Sequence, residues 1–369
     1  DWLVEMLGLP AAFLSSSPKG GGVLQSTASE STLAALCAAR KRARRAGVEQ
    51  SRMTVYASNQ AHSSVIKAAM IAGFADGADD VSRFRLVGVT PGFAMRMDDL
   101  ARLIAEDRDR GLVPVFVCGT IGTTGTTAVD PIGRIADVLD AAGGVRPWLH
   151  VDAAHSGAAL LCPEMRWMAE GVDRADSFCF NPHKWMLTNF DCDCFWTSDR
   201  ESLISAMSIT PEYLRNAQSD AGAVTDFRDW HVPLGRRFRA LKLWLVIRHY
   251  GVEGLRAYVR GHIALAAIFE RCVRADDRIE GVAERTVNLV CFRLKPRPGE
   301  SDAAADARNR SLLERANATG KIYLIHTVVP PVDGSPSKVV LRMAIGSVRT
   351  AESHVRNAWD LLRELADGC

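Results

Sequence analysis

The chain has 369 residues, is 47% hydrophobic and 24% charged, and so has ample apolar content for a sizeable core, organised as two domains or one large domain with an appendage. Its 45 basic and 43 acidic residues leave a net charge of +2, which gives no reason to expect nucleic acid or an anionic membrane as partner. Nine cysteines, an odd number without a C-x-x-C pair, argue for a reducing, cytoplasmic setting and against a disulfide scaffold or zinc ribbon.

The chain opens on "DWLVEMLGLP", without an initiator Met, and reads as the interior of a helix. The expectation is that an N-terminal segment is missing. "STASESTLAALCAARKRARRAG" then carries a capping box, with Thr27 as N-cap and Glu30 as its partner, and predicts a helix ending near Gly47. The basic run Lys41, Arg42, Arg44, Arg45 falls at its C-terminal end, where cations suit the helix dipole. "RMTVYASN" reads as a strand and "AHSSVIKAAMIAGF" as a helix closing at Gly73. "LVPVFVCGT" is a buried strand, "DPIGRIADVLDAAGG" a helix with Pro131 in its first turn, and "RPWLHVDAAHSG" and "ADSFCF" two more strands. Strands alternating with helices predict a mostly parallel sheet covered on both faces.

"SITPEYLRNAQSDAGAVTDFRDWHVPLG" breaks this rhythm and reads as a functional lid. Two helices joined at Gly251 follow. Strand-like "RTVNLVCFRL", a helix over 302–318, "KIYLIHTVV", "KVVLRMAIG" and a last helix predict a smaller α+β domain. "KPRPGESDAAADA" reads as a loop and "PPVDGSPS" as a hairpin turn or loop. The division falls near residue 240, giving a large domain over 1–240 and a small one over 241–369.

In open α/β sheets ligands bind beyond the C-terminal ends of the strands. Four polar clusters fall there: "STAS", "GTIGTTGTT", "HVDAAH" and "NPHKW". The first, at a helix N-terminus, suits a phosphate, although taken alone it is better explained by simple capping. Asp152 ends a strand and needs a cationic or proton-donating partner if buried. Lys184, one of only eight lysines, lies in an apolar stretch, where a lysine has a depressed pKa and becomes a usable nucleophile. Together these residues ask for a ligand with a phosphate, a carbonyl that forms an imine with lysine, and a ring nitrogen that pairs with a carboxylate. Pyridoxal phosphate has all three. A metal site built from His150, Asp152 and His155 is the rival, and leaves Lys184 and the helix start unexplained. "GTIGTTG" lacks the G-x-G-x-x-G order of a dinucleotide site.

"HVDAAHSG", "CPEMR", "ADSFCFNPHKW", "NFDC" and "PLGRRFRALKLW", in this order, resemble the group II pyridoxal-phosphate decarboxylases, and most closely the aromatic L-amino acid decarboxylases. The resemblance runs from "GGGVLQSTASE" to "LRMAIGS" and implies a fold-type I enzyme working as a homodimer. It implies that Lys184 carries the cofactor as a Schiff base, that Asp152 pairs with the pyridinium nitrogen, and that Ala154 and His62 flank the ring. Thr27, Ala28 and Ser29 then resemble the phosphate cradle, with Asn181 helping, Thr124 contacting cofactor or substrate, and His183 close by. Tyr213 matches the mobile-loop tyrosine that supports protonation of the substrate carbon, in the neighbouring subunit's site. Related aldehyde synthases replace this tyrosine or alter the stacking histidine. The presence of both Tyr213 and His62 therefore favours decarboxylation over aldehyde formation. Gly235 matches a substrate-pocket position that holds serine in some relatives, and leans the substrate toward tryptophan or DOPA, with tyrosine and phenylalanine open. His155 departs from the family's usual tyrosine. A truncated, weakly active member is the remaining alternative.

Overall fold

The computed structural model describes residues 1–209 and 224–368. The helices are α1 (Trp2–Leu7), α2 (Ala28–Arg45), α3 (Ser64–Ile71), α4 (Met97–Asp109), α5 (Ile132–Ala141), α6 (Pro182–Trp185), α7 (Arg200–Met207), α8 (Arg239–Arg274), α9 (Asp302–Ala318) and α10 (Glu352–Asp367). The strands are β1 (Gly21–Gln25), β2 (Met53–Ser58), β3 (Phe84–Val87), β4 (Val113–Thr120), β5 (Trp148–Asp152), β6 (Ser177–Phe180), β7 (Asp193–Thr197), β8 (Ile279–Gly281), β9 (Leu289–Leu294), β10 (Ile325–Val329) and β11 (Lys338–Ala344).

A seven-stranded sheet in the order β1-β7-β6-β5-β4-β2-β3 forms the centre. The β3, β2, β4, β5 and β6 strands run parallel, while β7 pairs antiparallel with both β6 and β1. Strands buried on both faces read as continuous apolar runs, which is why β4 and β5 were legible. One face packs Leu149, Val151, Ile132 and Ile135; the other packs Trp148, Phe116 and the alanine-rich side of α2. The α2 helix crosses close to its sheet because Ala34, Ala35, Ala38 and Ala39 carry no bulk. Its basic end is fastened: Arg42 pairs with Asp176 at 2.5 Å and lies 4.6 Å above the Trp148 ring.

A four-stranded antiparallel sheet, β10-β11-β9-β8, packs against the second half of α8 and against α9 and α10. The predicted break in α8 is present: Gly251 has φ 64 and ψ 174, a conformation open essentially to glycine alone. "PPVDGSPS" joins the antiparallel pair β10 and β11, with Asp333 and Gly334 both at positive φ. The loop after β9 is shorter than expected, because Ser301 caps α9 by accepting from the Ala304 amide. Seven further elements escaped the pattern reading: β1, β3, α4, α6, β7, α7 and β8. In β1 two glycines disguise the strand; a Cβ on Gly22 would lie 2.4 Å from the Trp196 ring.

Candidate active site

The parallel strands β4 and β5 deliver their C-terminal ends, Thr120 and Asp152, to one edge of the sheet. The start of α2 and the short α6 close over that edge. A cavity of about 200 Å³ results, lined among others by Thr27, Ala28, Ser29, His62, Thr124, Asp152, Ala154, Asn181, His183 and Lys184. Every sequence-predicted cofactor contact thus meets at one place.

Asp152 is buried, and its Oδ1 accepts from the Ala154 amide at 2.9 Å. Asn181 joins three parts of the wall: its Oδ1 accepts from the Ala28 amide at 3.1 Å, its own amide donates to Ala154 O at 3.0 Å, and its carbonyl accepts from the Lys184 amide at 2.9 Å. His62 Nδ1 accepts from the Ser64 amide at 3.1 Å and lies 2.8 Å from Ser64 Oγ. Burial, and then the charge of Lys184, hold His62 below the ordinary imidazole range, against an opposing pull from Asp152. Burial likewise lowers His183, whose Nδ1 accepts from the Cys192 amide at 3.0 Å.

The capping box differs from expectation. Thr27 is the N-cap, but its side chain makes no capping bond; Glu30 instead reaches back to the Ser26 amide at 3.0 Å and the Ser26 hydroxyl at 2.5 Å. Glu30 therefore braces the residue before the cap, and the Thr27 hydroxyl is left for the cavity. Lys184 also differs. Its side chain is exposed rather than enclosed by apolar groups. Pro182 and Trp185 take the buried side of the four-residue α6, which turns Lys184 to the opposite side. Among the described residues no carboxylate forms an ion pair with it.

The metal alternative is not supported. His150 Nδ1 is 2.8 Å from Ser177 Oγ, and His155 Nε2 is 2.8 Å from Asn288 Oδ1. Among the described residues no group of three or more His, Cys, Asp or Glu is placed to hold a metal ion. Gly235 stands apart: it is exposed, does not line the cavity, and among the described residues nothing lies within 4 Å of where its Cβ would be. Tyr213 lies outside the described residues.

Thr120, Gly122, Ser64 and Phe190 line the cavity and were not singled out from the sequence. The strand-end rule would have found Thr120. Gly122 is required by its backbone: φ is 85, and a Cβ there would lie 1.9 Å from Ser156 Oγ. A larger cavity of about 850 Å³, between α1 and the start of α8, has neither lysine nor histidine among the described residues of its walls.

The residues fit pyridoxal phosphate. Among the described residues the buried Thr120 Oγ1 has no hydrogen-bond partner and the Thr27 hydroxyl at a helix N-terminus makes no capping bond, and a carboxylate and a primary amine share the same small cavity. The fold and site together define a pyridoxal phosphate-dependent carboxy-lyase. The model of the pyridoxal-dependent decarboxylase conserved domain matches residues 1–295, and the chain belongs to that family. It is 45% identical to tyrosine decarboxylase 2 of Narcissus pseudonarcissus, over 99% of this chain and 71% of the relative. It is 43% identical to phenylacetaldehyde synthase of Arabidopsis thaliana, over 99% and 72%. The structure of Oryza sativa TDC with PLP and tryptamine superposes with a TM-score of 0.92 at 42% identity, covering 100% of this chain and 74% of that one. Among the described residues no helix is long and apolar enough to cross a membrane.

Proposed function

We propose that this chain decarboxylates an aromatic L-amino acid (tryptophan, DOPA, tyrosine or phenylalanine) to the aryl amine and carbon dioxide. The observation that carries the reading is the convergence of Lys184, Asp152, His62 and the α2 N-terminus on one cavity, in a chain of the decarboxylase family. When bound, pyridoxal phosphate supplies the electron sink that makes loss of carbon dioxide possible.

Lys184 anchors the cofactor through its exposed amine. Asp152 keeps a proton on the ring nitrogen by favouring the cation. Ala154 and His62 would flank the cofactor ring. Thr27 and Ser29 receive the phosphate at the start of α2; the Ala28 amide is already engaged by Asn181, so Ala28 and Asn181 shape the cradle. Thr124 contacts cofactor or substrate, and His183 lies beside the cofactor. Tyr213 returns a proton to the substrate carbon, a role resting on the sequence match alone. The working unit is a homodimer in the cytoplasm, each chain divided near residue 240. Gly235, which does not line the Lys184 cavity among the described residues, is assigned to a substrate pocket completed by the partner chain of the dimer.

The likeness to phenylacetaldehyde synthase favours a second reading, oxidative formation of an aromatic aldehyde on the same cofactor. Product analysis separates the two. The first yields amine and carbon dioxide in equal amounts without oxygen uptake. The second consumes oxygen and releases aldehyde, carbon dioxide, ammonia and hydrogen peroxide, and that outcome would replace the decarboxylase reading.

A further inference from the structure

A helix of one turn cannot fix its own orientation, because nucleation is unfavourable without tertiary anchors. The α6 turn is held by three of its neighbouring side chains. Asn181 fastens it to α2, and His183 fastens it to the backbone of Cys192. Trp185, immediately after Lys184, supplies the third anchor, and it alone of the three leads to the small sheet.

The Trp185 indole is buried, and its N–H donates to His262 Nδ1 at 3.0 Å. His262 therefore carries its proton on Nε2, which donates to Ser347 O at 3.2 Å. On the other side His155 stacks on the indole, with ring centres 5.2 Å apart and planes within 6°. His155 Nε2 donates to Asn288 Oδ1, and Asn288 Nδ2 donates to Ile345 O at 2.7 Å. Both histidines thus end on the stretch that leaves β11. The same strand touches the cavity wall a second time: Arg342 donates to Thr124 O at 2.5 Å and to Gly125 O at 2.9 Å.

We propose that Trp185, gripped by His155 and His262, is a positioning unit that fixes the Lys184 turn to the 345–347 segment of the small sheet. It rests on the reading of Lys184 as the cofactor anchor. Binding at Lys184 is then felt at the end of β11, and displacement of that strand is felt at Lys184.

The test uses the full chain and added pyridoxal phosphate, with His262→Phe, which keeps a ring but orphans the buried indole N–H, and His262→Gln, whose amide can both accept and donate. Hydrogen exchange is followed in peptides covering 181–187 and 341–349, with and without cofactor. In the wild type the cofactor slows exchange in both. In His262→Phe it slows only the first, and kcat falls about tenfold while KM stays within about twofold. His262→Gln restores the second response and most of kcat. Undiminished protection of 341–349 in His262→Phe, or equal loss in both variants, would overturn the proposal. Cofactor attached to a lysine other than Lys184, found by peptide mapping after reduction, would overturn the anchor reading and this one with it, and is a distinct outcome.

Discussion

Replacing His150 by Asn should remove a defined part of the chain's acid sensitivity. His150 is fully buried between Phe116 and Phe195, at ring separations of 6.0 and 6.3 Å. Ser177 Oγ accepts from Trp148 Nε1 at 2.8 Å and lies 2.8 Å from His150 Nδ1. Burial pushes the imidazole down to about 4 from its ordinary 6.5. Between those values the unfolded chain binds the proton and the folded chain does not. The stability is therefore present above pH 6.5 and is lost as pH falls toward 4. Linkage puts the loss between pH 7 and pH 5 at about 2 kcal/mol. Asp130, raised to about 6 by burial, works the other way: its buried charge is relieved as pH falls below 6, which offsets about 1 kcal/mol over the same range. The wild-type slope mixes both, so the measured quantity is the difference between wild type and His150→Asn, from urea unfolding at pH 7 and pH 5 with saturating cofactor. That difference should shrink by about 2 kcal/mol at the lower pH. Equal pH slopes in the two proteins would refute the assignment of a neutral, buried His150.

Asp152→Asn should retain cofactor but lose turnover by about a hundredfold or more, since the ring nitrogen loses its charged partner; equal kcat would remove Asp152 from the chemistry. Asn181→Ala orphans the buried Ala28 amide and should cost about 1–3 kcal/mol in thermal unfolding while weakening cofactor binding in titrations. Gly157→Ala brings a Cβ within 2.6 Å of Phe180 Cβ and 3.2 Å of Ala153 Cβ. Those atoms cannot swing aside, so a loss of about 1–3 kcal/mol is expected in melting experiments. Gly235→Ser meets nothing among the described residues and should leave stability within about 0.5 kcal/mol, so any change in substrate preference would be read as a pocket effect.

Strands whose two faces are both covered announce themselves as apolar runs, and β4, β5 and β6 were legible for that reason. So was the site, because the strand-end rule and the order of polar clusters bring Asp152, Asn181 and Lys184 together. What the sequence hid was contact made at long range. The Thr27–Glu30 spacing spells a capping box, yet Glu30 bonds Ser26, and nothing local distinguishes the two. The apolar residues around Lys184 are real, but a one-turn helix sends Pro182 and Trp185 inward and the lysine outward. His155 looked like a metal ligand by spacing; its partners, Trp185 and Asn288, lie 30 and 133 positions away along the chain, beyond any pattern. The glycines of β1 hid a strand, because the close approach of Gly22 to Trp196 joins strands far apart along the chain.

The most direct test of Lys184 as the cofactor anchor is the visible spectrum of the full chain with added pyridoxal phosphate, before and after borohydride, with peptide mapping and Lys184→Ala in parallel. A yellow band that reduction removes, a reduced cofactor mapped to Lys184, and neither in the variant are expected. A folded chain that forms no such band, or one whose variant forms it unchanged, would contradict the site described above.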